Sequence, residues 1–311
     1  MPISNYPNGF PNGVSILGMP ILNTYGGNVF WVNSARGSNG QKGTRERPFA
    51  TLDYAIGRCT ANNGDIIMVA PNHAETITGA GGIAHDIAGV SVIGLGVGNQ
   101  RPRFLMDGAT TVTYAITAAD AYLENLVFAS GHSNVVAGIT TTTAGTWLNG
   151  LEFENNTTNE DFLTPIKATS TVDNDSDHLR VENCRWLTID VDDLEFIEIN
   201  ATLRGFKCAN NFVVSAGTAS PLILVAAGKL LTAADIGWNR LVNAMTANEL
   251  FISNNGTTNT GVIHDNYVGH ADVTGTHDPG WDGGGFRLFA NLSTSVDNLS
   301  GFVVPAIDVN L

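Results

Sequence analysis

Charge is scarce in this 311-residue chain, and basic charge is scarcest. Fifteen lysines and arginines stand against 29 aspartates and glutamates, for a formal net charge of −14. A protein that tracks nucleic-acid phosphates needs basic runs to displace counterions; none occurs, so no nucleic-acid partner is expected. Cysteine is nearly absent. Cys59, Cys184 and Cys208 form no Cys-x-x-Cys pair and are odd in number. They read as small buried apolar residues, not as a disulfide frame or a zinc site. Long apolar runs are missing too: the longest, 221–227, is far too short to span a bilayer, so no membrane association is expected. The opening Met-Pro-Ile-Ser-Asn-Tyr-Pro lacks the basic start and apolar core of an export signal, which implies synthesis and assembly in a cytoplasm. There is no P-loop and no Gly-x-Ser-x-Gly, and Gly94-Leu-Gly-Val-Gly98 runs into Asn-Gln-Arg-Pro rather than a helix. No cofactor is therefore expected.

What the chain does have is glycine, threonine and asparagine, with 35 glycines and 14% charged residues. That composition suits many short strands joined by tight turns. One helix stands out. Pro48 is placed to open it, and Phe49, Leu52, Ala55, Ile56 and Cys59 fall at the spacing of one buried helical face. Asn62, Asn63 and Gly64 end it, giving a helix near 48–62, and Asp65-Ile-Ile-Met-Val-Ala70 then switches to a buried strand. A lone amphipathic helix followed by strands needs an object to cover, and the open end of a strand stack is such an object.

Downstream a period appears. Leu151-Glu-Phe-Glu-Asn155 and Leu179-Arg-Val-Glu-Asn183 lie 28 residues apart, and Asn211, Asn239 and Asn266 continue the series, with Asn210 an alternative to Asn211. Strand-built repeats of this length are coils that stack on one another. Stacked coils align like residues about 4.8 Å apart, so Asn155, Asn183, Asn211, Asn239 and Asn266 read as a structural ladder at a bend.

Residues 1–28 are different. Pro-Asn-Gly occurs twice, yet Ile3, Tyr6, Phe10, Val14, Ile16, Leu17, Met19 and Ile21 make the segment too apolar for a solvating tail. Such an arm either folds back on its own domain or docks on a neighbouring subunit. After about residue 270 the period fails in a long loop. Phe286-Arg-Leu-Phe-Ala and Gly301-Phe-Val-Val-Pro-Ala-Ile within 271–311 then read as strands that cap the last coil.

The order Gly-Thr-x-x-x-Pro-Phe-x-Thr-Leu-x-x-Ala-Ile-x-x-Cys, Gly-Asp-x-Ile-x-Val-x-Pro, Glu-x-Ile over Gly43 to Ile77 resembles the opening of pectate-lyase-like right-handed parallel β-helix proteins. The resemblance implies an all-β fold: a single-stranded right-handed β-helix over 29–270, with an N-terminal capping helix, an extended arm and C-terminal capping strands. The start Pro2-Ile-Ser-Asn-Tyr-Pro-Asn-Gly-Phe10, with Val14-Ser-Ile-Leu-Gly-Met-Pro-Ile21, resembles structural proteins of tailed bacteriophages, and more narrowly their trimeric head decoration proteins. That likeness implies a homotrimer on the outer capsid surface, stabilising the head, with the arm residues above binding the major capsid protein.

Polysaccharide hydrolysis needs a carboxylate pair on an accessible flank. Asp190-Val-Asp-Asp-Leu-Glu195 is the densest acidic group, but the Gly-His-Gly and Arg-x-Lys elements of related galacturonan hydrolases are missing. Asp173, Asp175 and Asp177 start like a calcium loop but lack its glycine and distal glutamate. His264, Asp265, His270, Asp272, His277, Asp278 and Asp282 have no metal-ligand spacing. The expectation is no catalytic and no metal-binding residue. The alternative is a tailspike or fibre module that binds or cleaves a host surface glycan, with Trp147, Trp186 and Trp238 as stacking platforms.

Overall fold

The computed structural model describes residues 14–16, 19–21, 26–79, 82–155, 160–188, 193–216, 221–243, 251–254, 258–270, 285–293 and 302–304. The chain winds as a right-handed parallel β-solenoid whose coils contribute to three long sheets. The first sheet has ten strands, from Val29–Val32 to Phe286–Phe289; the second has ten, from Ala74–Thr78 to Asn291–Ser293 with Phe302–Val304 at its edge; the third has seven, from Ile83–His85 to Ile252–Asn254. All pairings within them are parallel except the last, where Phe302–Val304 runs antiparallel to Asn291–Ser293. Parallel pairing follows from the winding, because each coil returns to the same face in the same direction.

Stacking in register puts like residues one above another in the interior. Phe104, Phe128, Phe153 and Trp186 are successive Cα partners in the second sheet. The rings of Phe104, Phe128 and Phe153 stack at 5.7 Å per step, and all four side chains are fully buried. The third sheet continues the same logic with β-branched residues, Ile139, Ile166, Ile197, Ile223 and Ile252. β-Branched and aromatic side chains pack best on such pleated faces, which is why the sequence is rich in them at alternate positions.

The helix spans Leu52–Ile56, buries Leu52, Ala55 and Ile56, and packs on Val29–Val32, Ile66–Val69 and Ile83–His85 at the N-terminal end of the stack. It is shorter than the 48–62 expected from periodicity. Phe49 is instead extended, exchanging backbone hydrogen bonds with Trp31 and Asn33, so strand pairing takes the residues that the helical spacing claimed. At the other end, Phe286–Phe289 and Asn291–Ser293 add strands to the first and second sheets in parallel. The solenoid therefore continues past residue 270 through these two strands, while Phe302–Val304 lies antiparallel at the edge of the second sheet. Of the arm, the backbone of Val14–Ile16 and Met19–Ile21 is described, as an antiparallel pair, together with residues 26–28, where Asn28 donates to Asp65. Ile3, Tyr6, Phe10 and Leu17, and the side chains of Val14, Ile16, Met19 and Ile21, lie outside the described residues.

From Asn125 onward each coil turns from the first sheet to the second through a two-residue corner. The outer corner residue has positive φ: 57° at Asn210 and Trp238, 52° at Asp265 and 55° at Ala290. The inner one is buried: Asn211, Asn239, Asn266 and Asn291. These four form a continuous side-chain ladder. Asn211 Nδ2 donates to Asn239 Oδ1 (2.9 Å), Asn239 to Asn266 (3.0 Å) and Asn266 to Asn291 (3.0 Å). Each Nδ2 also donates to a carbonyl of the preceding coil, those of Val181, Cys208, Ile236 and Ile263. Each Oδ1 in turn accepts the corner N–H of the preceding coil. The amide thus satisfies backbone groups that the bend takes out of the sheets.

Asn155 and Asn183 are not part of this ladder. Asn183 is an outer, left-handed corner residue, exposed, with Nδ2 donating to Asn149 Oδ1. Cys184 takes the inner place in its coil. Asn155 ends a second-sheet strand and donates to Thr188. The constant 28-residue step fails here because Trp147 pairs with Arg180, a step of 33, whereas Arg180 pairs with Lys207, a step of 27.

Asn239 sits between two ladder partners. Replacing it by leucine conserves bulk but strands the Asn211 N–H and the Cys208 carbonyl in the interior. Asn239→Leu is expected to lower unfolding stability by about 3 kcal/mol, since each orphaned buried group costs roughly 1–3 kcal/mol. Denaturant unfolding measures this, and an unchanged midpoint would show that the ladder contributes nothing net.

A candidate binding groove on the corner

Outside the asparagine ladder the same corner forms a groove of about 720 Å³. Three rings line it. Phe212 and Tyr267 are first-strand positions of the second sheet, two coils apart, with Arg240 between them in register. Trp238 stands beside them at the outer corner, 52% exposed. Asn210 and Asp265 occupy the same outer corner one coil before and one coil after Trp238.

Trp238 is the anomaly. The outer corner demands left-handed backbone, and the other coils meet that demand with Asn125, Gly150, Asn183, Asn210, Asp265 and Ala290. Asparagine, aspartate and glycine tolerate that region, whereas a bulky side chain is strained in it at a cost of about 1–3 kcal/mol. An aromatic ring is held there, facing solvent, against the local preference. Its inner edge meets His264 at 4.5 Å, perpendicular.

His264 is buried beneath it and bonded at both ring nitrogens, Nε2 to Asp235 (2.9 Å) and Nδ1 to Asp265 (2.9 Å), while Phe289 stacks on its other side at 5.0 Å. Gly237 makes room, since a Cβ there would lie 2.4 Å from the imidazole. Burial works against the His264 charge, but the hydrogen bonds to Asp265 and Asp235 outweigh it and raise the pKa above 6.5. Both ring nitrogens of His264 are thus committed to carboxylates. Arg240, by contrast, is exposed and has no carboxylate partner among the described residues. Arg185, next in the same column, sits 6.0 Å from the Phe212 ring. The groove thus combines three exposed rings with the exposed Arg240 on an acidic protein.

The other sites named from sequence fall elsewhere. Trp186 is a fully buried core residue, and Trp147 is half-buried between Tyr122 (4.8 Å) and the Arg180 guanidinium (4.3 Å). Asp190 and Asp192 lie outside the described residues, as do Asp272 to Asp282; Asp193 is buried. Asp177 accepts from the backbone and side chain of Arg204 instead of gathering with Asp173 and Asp175. Among the described residues no three histidine, cysteine or acidic side chains are placed to hold a metal ion, and no helix is long and apolar enough to cross a membrane. Cys184 and Cys208 are buried and Cys59 half-buried, all as free thiols; burial pushes the first and last of these up to about 12.

No protein-family model matches the chain, and no curated protein matches it in sequence. Among solved structures, a rhamnogalacturonan lyase is similar over 85% of this chain and 87% of its own, at 13% identity and a TM-score of 0.43. A GH136 lacto-N-biosidase from Eubacterium ramulus is similar over 86% of this chain and 67% of its own, at 10% identity and a TM-score of 0.37. No residue role is transferred from either.

Two outcomes follow for the corner. Trp238→Asn places at this position the residue already used at Asn183 and Asn210. It relieves backbone strain at the expense of one ring contact, and the expected net is a stability gain of up to about 1 kcal/mol. A clear drop in melting temperature would make Trp238 packing material. For His264 the folded pKa is raised, so its contribution is complete below the unfolded value and fades as pH rises through the folded one. The stability advantage of the native chain over His264→Gln is therefore expected to be full at acidic pH and to shrink as pH rises above the ordinary histidine value of 6.5. A pH-independent difference in thermal unfolding would contradict a charged His264.

Proposed function

We propose that this chain is a non-catalytic virion structural protein of a tailed bacteriophage. In this reading it forms a homotrimer on the outer head surface, stabilises the capsid and binds the major capsid protein through the arm of residues 1–28. The sequence supports it through the apolar, turn-rich arm and the resemblance stated above. The observation that carries the non-catalytic part is how the flank carboxylates are used. Glu152 pairs with Arg101 (2.7 Å), Glu154 with Arg103, Glu198 with Lys167 (2.5 Å), Glu182 with Lys207 (2.7 Å) and Asp177 with Arg204 (2.7 Å). Each of these pairs joins different coils, so these five acids brace the stack instead of standing free to protonate or attack a sugar. A braced stack associating about a cyclic axis buries one flank of each copy. An acidic exterior suits a part that touches the outside of a DNA container.

Co-sedimentation and cryo-EM of the full chain and of a variant lacking residues 1–24, each mixed with purified heads that lack this protein, test the reading. Trimers of the full chain are expected on the heads, with the truncated chain folded but free in solution. Failure of the full chain to bind heads would end the decoration reading.

A second reading, a tailspike or fibre module that binds or cleaves a host surface polysaccharide, is favoured by one observation: the solvent-facing rings of Phe212, Trp238 and Tyr267 in a single groove.

A further inference from the structure

The geometry points to a saccharide-binding subsite in the corner groove, and to a particular class of ligand: an oligosaccharide bearing carboxylates. This deepens the second reading as far as binding is concerned, and requires neither cleavage nor a tail location. Three independent features carry it.

The first is strain. Six other coils place Asn, Gly, Asp or Ala at the left-handed corner, and the coil at Trp238 places a tryptophan there with half its surface in solvent. The turn itself does not require this choice, because Asn210 and Asp265 make the same turn on either side. Backbone strain that the fold does not require is concentrated at ligand sites.

The second is the arrangement of the rings. Phe212 and Tyr267 occupy one column of the second sheet, two coils or roughly 10 Å apart, with Trp238 beside them. An elongated ligand lying along the solenoid axis meets these three in turn. Exposed rings of this kind offer apolar faces to the C–H faces of sugar rings, while the Asn210 amide offers donors and an acceptor to hydroxyls.

The third is charge. The carboxylates at the groove, Asp265 and its neighbour Asp235, are both hydrogen-bonded to the His264 ring and so turned away from Arg240 as partners. Arg240 projects between Phe212 and Tyr267 without an acidic partner among the described residues. In a chain with nearly twice as many acids as bases, an unpaired guanidinium between two exposed rings is a place for a carboxylate. Arginine binds such a group through two parallel N–H donors.

Isothermal titration calorimetry of the full chain tests this, with oligogalacturonate and polysialic acid as carboxylated probes and maltohexaose as the neutral one. Binding of at least one carboxylated probe is expected, with maltohexaose at least tenfold weaker. Trp238→Asn and Arg240→Gln are expected to weaken the carboxylated probe tenfold or more while keeping the native melting temperature or a higher one. No heat with either carboxylated probe at millimolar concentration, equal affinity for maltohexaose, or undiminished affinity in both variants would each overturn the proposal. So would a change of oligomeric state in Trp238→Asn by analytical ultracentrifugation, which would assign the groove to a second copy of the chain. Head binding is a separate measurement, so failure of decoration and failure of this subsite are distinguishable.

Discussion

Parallel hydrogen bonding between successive coils is the constraint on which the rest of this structure depends. Once the backbone of one coil is bonded to the next along three sheets, every coil must present the same shape at the same place, about 4.8 Å further on. The corner between the first and second sheets makes the consequence visible. Its outer residue is left-handed in coil after coil, and its inner residue has to answer backbone groups turned away from the sheets. In the early coils Leu126 and Leu151 fill the inner position with apolar bulk; from Asn211 onward asparagine does so with hydrogen bonds. Both solutions satisfy the geometry. The asparagine one also ties each corner to its neighbours on both sides, so these corners gain order as a set.

A repeating backbone leaves the outward side chains as the free variables, and the chain uses them in two ways. Along much of the flanks they form cross-coil ion pairs, and Trp147 lies beneath the Arg180 guanidinium. Exposed pairs of this kind are worth little singly, but here each joins coils already held in register, so little side-chain entropy is lost in forming it. At the later corners the outward positions carry Phe212, Trp238, Arg240 and Tyr267 in place of paired charges. The same scaffold thus separates a region that braces itself from one that leaves its chemistry open.

Much of the fold was legible in the sequence because stacking rewards repetition. Alternating apolar residues, frequent glycine and recurrent asparagine are what parallel coils require, and Asn211, Asn239 and Asn266 indeed stand on one another. The period itself was less legible. Leu151-Glu-Phe-Glu and Leu179-Arg-Val-Glu look alike because both alternate as strands do, yet they belong to different sheets. Coil length varies through loops outside the ladder, so a fixed step drifts out of register and assigns Asn183 to the wrong side of its corner. Asn291 was missed for the related reason that it follows the long 271–284 segment. The groove was hardly legible at all. Trp238 could be singled out as a ring, but its left-handed backbone and its neighbours from three coils exist only after stacking. The one available signal was an aromatic residue where the aligned coils have Asn or Asp.

The direction of the solenoid bears on how the two functional readings fit together. The strand Val29–Val32 lies at one edge of the first sheet and Phe286–Phe289 at the other, nine strand steps or roughly 43 Å apart. The arm therefore joins the stack at the end closed by the Leu52–Ile56 helix, and the groove lies over the later coils. A molecule held by its N-terminal segment and projecting along the coil axis carries Trp238 and Arg240 toward its distal part. Anchoring and saccharide binding then make no competing demands on the same surface. The acidic flanks point the same way: a net charge of −14 repels polyanions in general, and Arg240 between the exposed rings of one corner is the place proposed to offer a carboxylated chain attraction instead. The long-range charge and the local site oppose each other, so affinity for an acidic ligand would rest on short-range contacts at the groove.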